Sequence, residues 1–248
     1  MPCPPSRLAV LPALALLASC VPAGKAPPWD AGAPKKPVEL AAFEPSAHVM
    51  TEAFYDDFTR EAGVGAGDDW LLLDTRAWRI DNGMLCVQNA HNRGAWLQRT
   101  LPPNARIEFT AFSTSPDGDL KAELWGDGVT GATGNSYTEA TSYLVLFGGW
   151  KNTVHAFARL NEHGTDRLEI PVVQAADDPR ARPVLPQRSY RFVVERTDSR
   201  TVKVAIDGLS FFTFPDSNPL RGRGHDHFGF NDWEVKVCFD DVRVTPLP

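Results

Sequence analysis

The chain has little with which to build a metal centre, a membrane span or a surface for nucleic acid. Four of its 248 residues are cysteine and six are histidine. No Cys-x-x-Cys occurs and the histidines show no ligand-pair spacing, which argues against zinc. A net charge of −6 gives no basic field for a polyanion, so nucleic acid is not an expected partner. Apart from one apolar run near the start, nothing approaches the ~20 apolar residues that a membrane helix requires. Helical periodicity is also scarce. What is plentiful is apolar and aromatic matter, 43% and 10% of the chain, enough for a substantial core.

The apolar run spans Leu8 to Leu17, follows Arg7 and ends in Leu17-Ala18-Ser19-Cys20. Its length suits a signal h-region and is too short to cross a bilayer. The ending resembles a bacterial lipobox, which implies a signal peptide over 1–19 and acylation of Cys20; an ordinary secretory signal that contains Cys20 is the alternative, and both imply export. Lipid on Cys20 would then be the only membrane attachment, with the cell envelope, and the outer membrane in particular, as the expected location. Residues 20–51 form a Pro/Ala-rich tether containing Pro27-Pro28, Pro34 and Pro37, and one folded domain is expected over 52–248.

In that domain period-two alternation recurs between glycine, proline and aspartate clusters, which argues an antiparallel β architecture. Strands are expected at 53–58, 77–80, 84–88, 95–99, 105–112, 119–125, 142–148, 153–161, 167–172, 190–196, 201–206, 210–214, 226–230 and 235–244. That many strands suit an all-β, two-sheet antiparallel jelly-roll sandwich. Asp81-Asn82-Gly83 and Asp207-Gly208 are hairpin turn signals. Cys86 and Cys238, the two cysteines outside the leader, both lie in strand-like runs; they permit one disulfide or stay as two small buried thiols.

Four segments carry a family resemblance: Phe54-Tyr55-Asp56-Asp57-Phe58, Trp78-Arg79-Ile80-Asp81-Asn82-Gly83-Met84-Leu85, Val204-Ala205-Ile206-Asp207-Gly208 and Phe239-Asp240-Asp241-Val242-Arg243-Val244. Together they resemble the concanavalin A-like lectin/glucanase superfamily, and specifically the laminin-G-like and family 16 glycoside hydrolase-like domains of bacterial lipoproteins, including 3-keto-disaccharide hydrolase-like ones. The resemblance implies first and last strands side by side. It also implies that glycosidases of the group carry Glu-x-Asp-x-x-Glu on one strand, a string that this chain lacks. Asp119 and Glu123 share a face but would stand ~13 Å apart, long for a retaining carboxylate pair.

In Asp119-Leu120-Lys121-Ala122-Glu123-Leu124-Trp125 the even positions are apolar, so Asp119, Lys121, Glu123 and Trp125 are expected on one polar face. Thr153 to Asn161 is expected to repeat the pattern with His155, Phe157 and Arg159. Between these segments Gly148-Gly149-Trp150-Lys151-Asn152 offers an aromatic platform and hydrogen-bonding groups. A flat ring beside carboxylate, guanidinium and amide groups is the chemistry that a sugar needs, so Asp119, Lys121, Glu123, Trp125, Trp150, Asn152, His155 and Arg159 are candidate carbohydrate contacts. The bland alternative is a solvated sheet face. Glu123, His155 and His163 are the candidates for any catalysis, His163 through its neighbour Glu162 if the backbone turns at Gly164. Trp233 is either core or platform. Asp57 and Asp240, near the chain's terminal strands, are candidate ligands of a structural Ca²⁺.

The expected function is therefore carbohydrate binding, with polysaccharide or oligosaccharide as partner and binding alone preferred to catalysis without excluding it. Two competitors stand beside it: a glycoside or 3-keto-glycoside hydrolase or lyase using the same groove, and a structural envelope module without a small ligand.

Overall fold

A computed structural model describes residues 46–248; the signal segment, Cys20 and the tether as far as residue 45 lie outside the described residues. Two antiparallel sheets stack face to face. The nine-stranded sheet runs β14 (Leu209–Pro215), β13 (Thr201–Ile206), β12 (Tyr190–Arg196), β7 (Ala105–Ser113), β16 (Val237–Pro246), β5 (Met84–Val87), β4 (Trp78–Asp81) and β2 (Gly63–Val64), with β1 (Phe54–Asp56) also on β16. The seven-stranded sheet runs β11 (Leu168–Pro171), β10 (Val154–Arg159), β9 (Tyr143–Gly148), β8 (Leu120–Gly126), β15 (His227–Asn231), β6 (Ala95–Leu97) and β3 (Trp70–Leu72). This is the two-sheet jelly roll that the alternation implies.

The first and last strands do lie together, with Phe54 opposite Val244 and Asp56 opposite Val242. Asn82 and Gly83 both take positive φ, 52° and 74°, and join β4 to β5 in a tight turn whose twist matches the strands. Asp207 and Gly208, at 50° and 78°, do the same between β13 and β14. The folded part starts slightly before residue 52, since the Met50 amide donates to the Thr100 carbonyl at 2.9 Å and Met50 packs on the core.

Between the sheets runs an aromatic seam. Trp70 stacks on Phe230 at 5.7 Å, Phe230 on Phe239 at 3.9 Å and Phe109 on Phe192 at 4.7 Å, and Phe147 meets Phe192 edge-on at 5.8 Å. Rings buried this completely contribute by area and by quadrupole geometry together. Cys86 and Cys238 face each other in register across β5 and β16 and are joined by a disulfide.

Two expectations about facing fail. Trp125 does not join Lys121 and Glu123 on the polar face. The β8–β15 register slips between His227 and Phe228, Trp125 takes φ 52°, and this bulge turns its ring into the core. There Trp125 is fully buried, the Arg196 guanidinium lies 3.8 Å over its ring, and its indole N–H donates to the Pro102 carbonyl at 3.1 Å. On β10 the polarity is reversed: His155 and Phe157 point into the core between the sheets, while Ala156 and Ala158 take the outer face. That outer face is not solvated. Tyr137 and Ala140, from the long loop between β8 and β9, close over Leu144, Leu146, Ala156 and Ala158 and make a second, smaller apolar cluster.

Candidate functional site

The loop over the outer face leaves uncovered the end of the seven-stranded sheet where β8 begins and β9 and β15 end. A groove of about 750 Å³ opens there. Its floor is the start of β8. Lys121 Nζ lies 3.1 Å from Glu162 Oε1 and 3.5 Å from Asp119 Oδ1, and all three residues are buried. Burial disfavours the ammonium form, but the two carboxylates outweigh it and hold Lys121 above its ordinary value. Asp119 is raised, chiefly by desolvation, although Lys121 and the backbone N–H of Trp233 favour its charged form.

One wall is the turn between β9 and β10, where Gly148, Trp150, Lys151 and Asn152 have φ 77°, 48°, 58° and 59°. Left-handed backbone in L-residues costs roughly 1–2 kcal/mol each. The turn is held by a staple. Asn152 Nδ2 donates to the Pro116 and Val184 carbonyls, each at 2.8 Å, and its Oδ1 accepts from Val184 N–H at 3.0 Å. Asp119 is locked to the same turn, its N–H donating to the Gly148 carbonyl at 2.9 Å. The chains approach so closely that a Cβ on Gly118 would stand 2.7 Å from that carbonyl oxygen. The turn presents the half-buried Trp150 indole to the groove, with Arg167 4.6 Å over its ring and His163 edge-on at 5.6 Å.

The opposite wall comes from the segments after β5 and before β16. The His91 amide donates to Trp233 O at 3.0 Å and the Asn92 amide to Asp232 O at 2.8 Å, and the His91 and Trp233 rings meet edge-on at 4.7 Å. Asn89, His91 and Asn92 are again left-handed, at 59°, 49° and 61°. Left-handed residues thus stand on both walls of the groove. Groups with unmet bonding capacity lie in the wall and behind the floor: among the described residues Asn92 Oδ1 on the wall, and Asn231 Oδ1 and Asp232 Oδ1 behind the floor, are buried without a partner. Desolvation raises Asp232 to about 7.

Glu123 lies deeper. Its carboxylate accepts from Ser142 Oγ at 2.8 Å, Tyr137 Oη at 3.1 Å and Asn231 Nδ2 at 2.6 Å, yet desolvation lifts it to about 7. It supports the floor and does not line the groove.

Of the sequence candidates, Asp119, Lys121 and Trp150 therefore meet in one groove, with Glu162 and His163 beside them. Asn152 is a structural staple and is corrected to that role. His155 is not a sugar contact or an acid/base group: it is fully buried, accepts from Gly148 N–H at 2.9 Å, stacks on Phe147 at 4.4 Å and is pushed down to about 4 by burial. Arg159 is remote from the groove, bound to Asp216 at 2.8 Å and to the Asn218 carbonyl at 2.7 Å. His163 lies at the groove but faces Trp150, with no acid/base partner resolved. Trp233 is half-buried and lines the groove, outside the core. Asn92 was not legible as a groove residue, because a loop brings it in and no periodicity marks a loop.

The calcium ligands do not assemble. Asp57 Oδ1 accepts from Thr59 N–H at 3.0 Å and Asp240 Oδ1 from Asp241 N–H at 2.8 Å, so each carboxylate caps its own turn. Among the described residues no group of three or more His, Cys, Asp or Glu could hold a metal ion.

Neither protein-family models nor curated proteins give a match to this sequence. Solved structures do resemble the fold. A sialidase superposes with a TM-score of 0.54 at 9% identity, covering 80% of this chain, which spans only 19% of that protein. The carbohydrate recognition domain of Emp47p gives 0.54 at 11%, covering 80% of this chain and 96% of that one. A structure from work on endo-acting O-glycanases, with which prominent members of the human gut microbiota initiate mucin breakdown, gives 0.52 at 15%, covering 79% and 99%. At such identities the likeness shows the fold: this domain is a jelly roll of the kind found in carbohydrate-recognising and glycoside-acting proteins.

Proposed function

We propose that this protein binds carbohydrate in the groove at the end of the seven-stranded sheet, and that it does so as an exported, lipid-anchored protein of the cell envelope. The location rests on Arg7, the apolar run and Cys20. The binding reading rests on one observation: two half-buried indoles, Trp150 and Trp233, flank a floor of buried, hydrogen-bonding charge in a groove of about 750 Å³. Apolar C–H faces stack on rings while hydroxyls need fixed polar partners, and the walls supply both. The fold's likeness to the Emp47p carbohydrate recognition domain supports the same reading.

The test is a glycan array on wild type and Trp150→Ala, with thermal melts alongside. Loss of the indole should weaken glycan affinity by about 1–3 kcal/mol with little change in melting. Absence of wild-type binding to any glycan rejects the proposal.

A catalytic reading has one observation of its own. Asp119 and Glu162 bracket a single ammonium on the groove floor, a paired-carboxylate arrangement in which burial pushes Asp119 upward against the pull of Lys121. Release of new reducing ends, abolished by Asp119→Asn with binding retained, would favour glycoside hydrolysis over binding alone.

A further inference from the structure

We infer that the groove's ligand is an uncharged oligosaccharide long enough to touch both Trp150 and Trp233, and that acidic glycans are excluded. This rests on the carbohydrate-binding reading and adds its charge and length.

Charge is decided at the floor. An acidic sugar in a desolvated site needs an available cation, best an arginine fork. Here the floor ammonium of Lys121 is 5% exposed and already shared between Glu162 at 3.1 Å and Asp119 at 3.5 Å, with Asp232 also within its field. A ligand carboxylate above it would meet two buried acceptors for one spent cation. On the rim, Lys236 is bound to Asp81 at 3.0 Å, and Lys151 is exposed, where ion pairing contributes little.

The unmet capacity has the opposite sign. Asn92 is 2% exposed, forms part of the groove wall, and its Oδ1 has no donor. A buried acceptor without a partner carries a desolvation cost, and a turn of the Asn92 side chain toward the groove would let a sugar hydroxyl donate to it. Length follows from topology. Trp150 projects from the β9–β10 turn and Trp233 from the segment after β15, and β8 lies between β9 and β15. The two indoles are therefore rooted about two to three strand spacings apart, on the order of 10–15 Å, farther than one pyranose ring reaches.

The experiment is titration calorimetry of the folded domain against two matched ladders from monosaccharide to tetrasaccharide. One ladder is uncharged (gluco-, manno-, xylo- and N-acetylchito-oligosaccharides) and one acidic (oligogalacturonate and oligoalginate). Binding is expected in an uncharged series, at least tenfold tighter for the trisaccharide than for the monosaccharide, with acidic ladders at least tenfold weaker. Asn92→Gly keeps the left-handed backbone and removes only the amide, so it should weaken binding severalfold while the melting temperature holds. Trp233→Ala should flatten the gain with length. Acidic oligosaccharides bound equally well or better would overturn the charge inference, and a monosaccharide bound as tightly as its trisaccharide would overturn the length. No binding in either ladder, with no glycan bound on the array, would reject the carbohydrate reading itself.

Discussion

Removing the Cys86–Cys238 disulfide should destabilise the domain substantially. The bond joins residues 152 apart in sequence, so it closes most of the folded chain into one loop in the unfolded state. The chain-entropy relation gives about 5 kcal/mol at 25 °C for a loop of that size, an upper figure for native disulfides whose removal typically costs about 2–5 kcal/mol. Both sulfurs are buried and directly opposed in register, so Cys86→Ala/Cys238→Ala leaves little strain and only a small void. For a domain of this size each kcal/mol moves the melting temperature by roughly 2–4 °C, so a cost of about 2–5 kcal/mol lowers it by roughly 4–20 °C. The assay is urea unfolding of wild type and double variant, each with and without reductant. Wild type should lose its advantage once reduced, and the double variant should not respond. Unreduced wild type within about 1 kcal/mol of the variant, or two titratable thiols in denatured wild type, would refute the reasoning.

Glu123 should confer a stability that declines with rising pH. Its folded value of about 7 lies above its ordinary one, so the native state holds the extra proton and the benefit fades from about pH 4.5 to 7. Relative to wild type, Glu123→Gln should therefore look better at pH 8 than at pH 5, by on the order of 3 kcal/mol in paired denaturation curves. His155, depressed to about 4, runs the other way, losing stability as pH falls from about 6.5, so the comparison must be made variant by variant. Trp125→Ala should cost about 3–5 kcal/mol and leave glycan affinity per folded molecule unchanged, the reverse of Trp150→Ala; equal melting of the two variants would contradict the bulge assignment.

Most of the strand order was legible because alternation survives wherever a strand has one core face: 105–112, 190–196 and 201–206 fall within a residue or so of β7, β12 and β13. Gly63–Val64 and Trp70–Leu72 were missed because two or three residues show no period. The polar face of β8 was legible up to Glu123, and Trp125 was not, since a bulge restarts the alternation without leaving a mark in residue type. On β10 the small alanines looked core-facing, and the aromatic Phe157 with its neighbour His155 looked exposed. A second apolar layer inverted that logic by covering the outer face with Tyr137. Trp150 and Lys121 were found through their own strand and turn, whereas Asn92 and Asp232 depend on contacts between segments more than a hundred residues apart.

The pairing of β1 with the far half of β16 puts the described chain's entry point at the end of the sandwich away from the groove. Strand β16 begins beside the groove at Val237 and ends near Ala105, and Phe54 joins it at Val244, seven residues on. The described chain thus enters the domain on the order of 20 Å from the groove, at the opposite end of the sandwich. Ser46 meets Asp226 at that same end, ahead of β15. An attachment made through the first described residues would therefore leave the mouth of the groove unobstructed, at the far end of the sandwich.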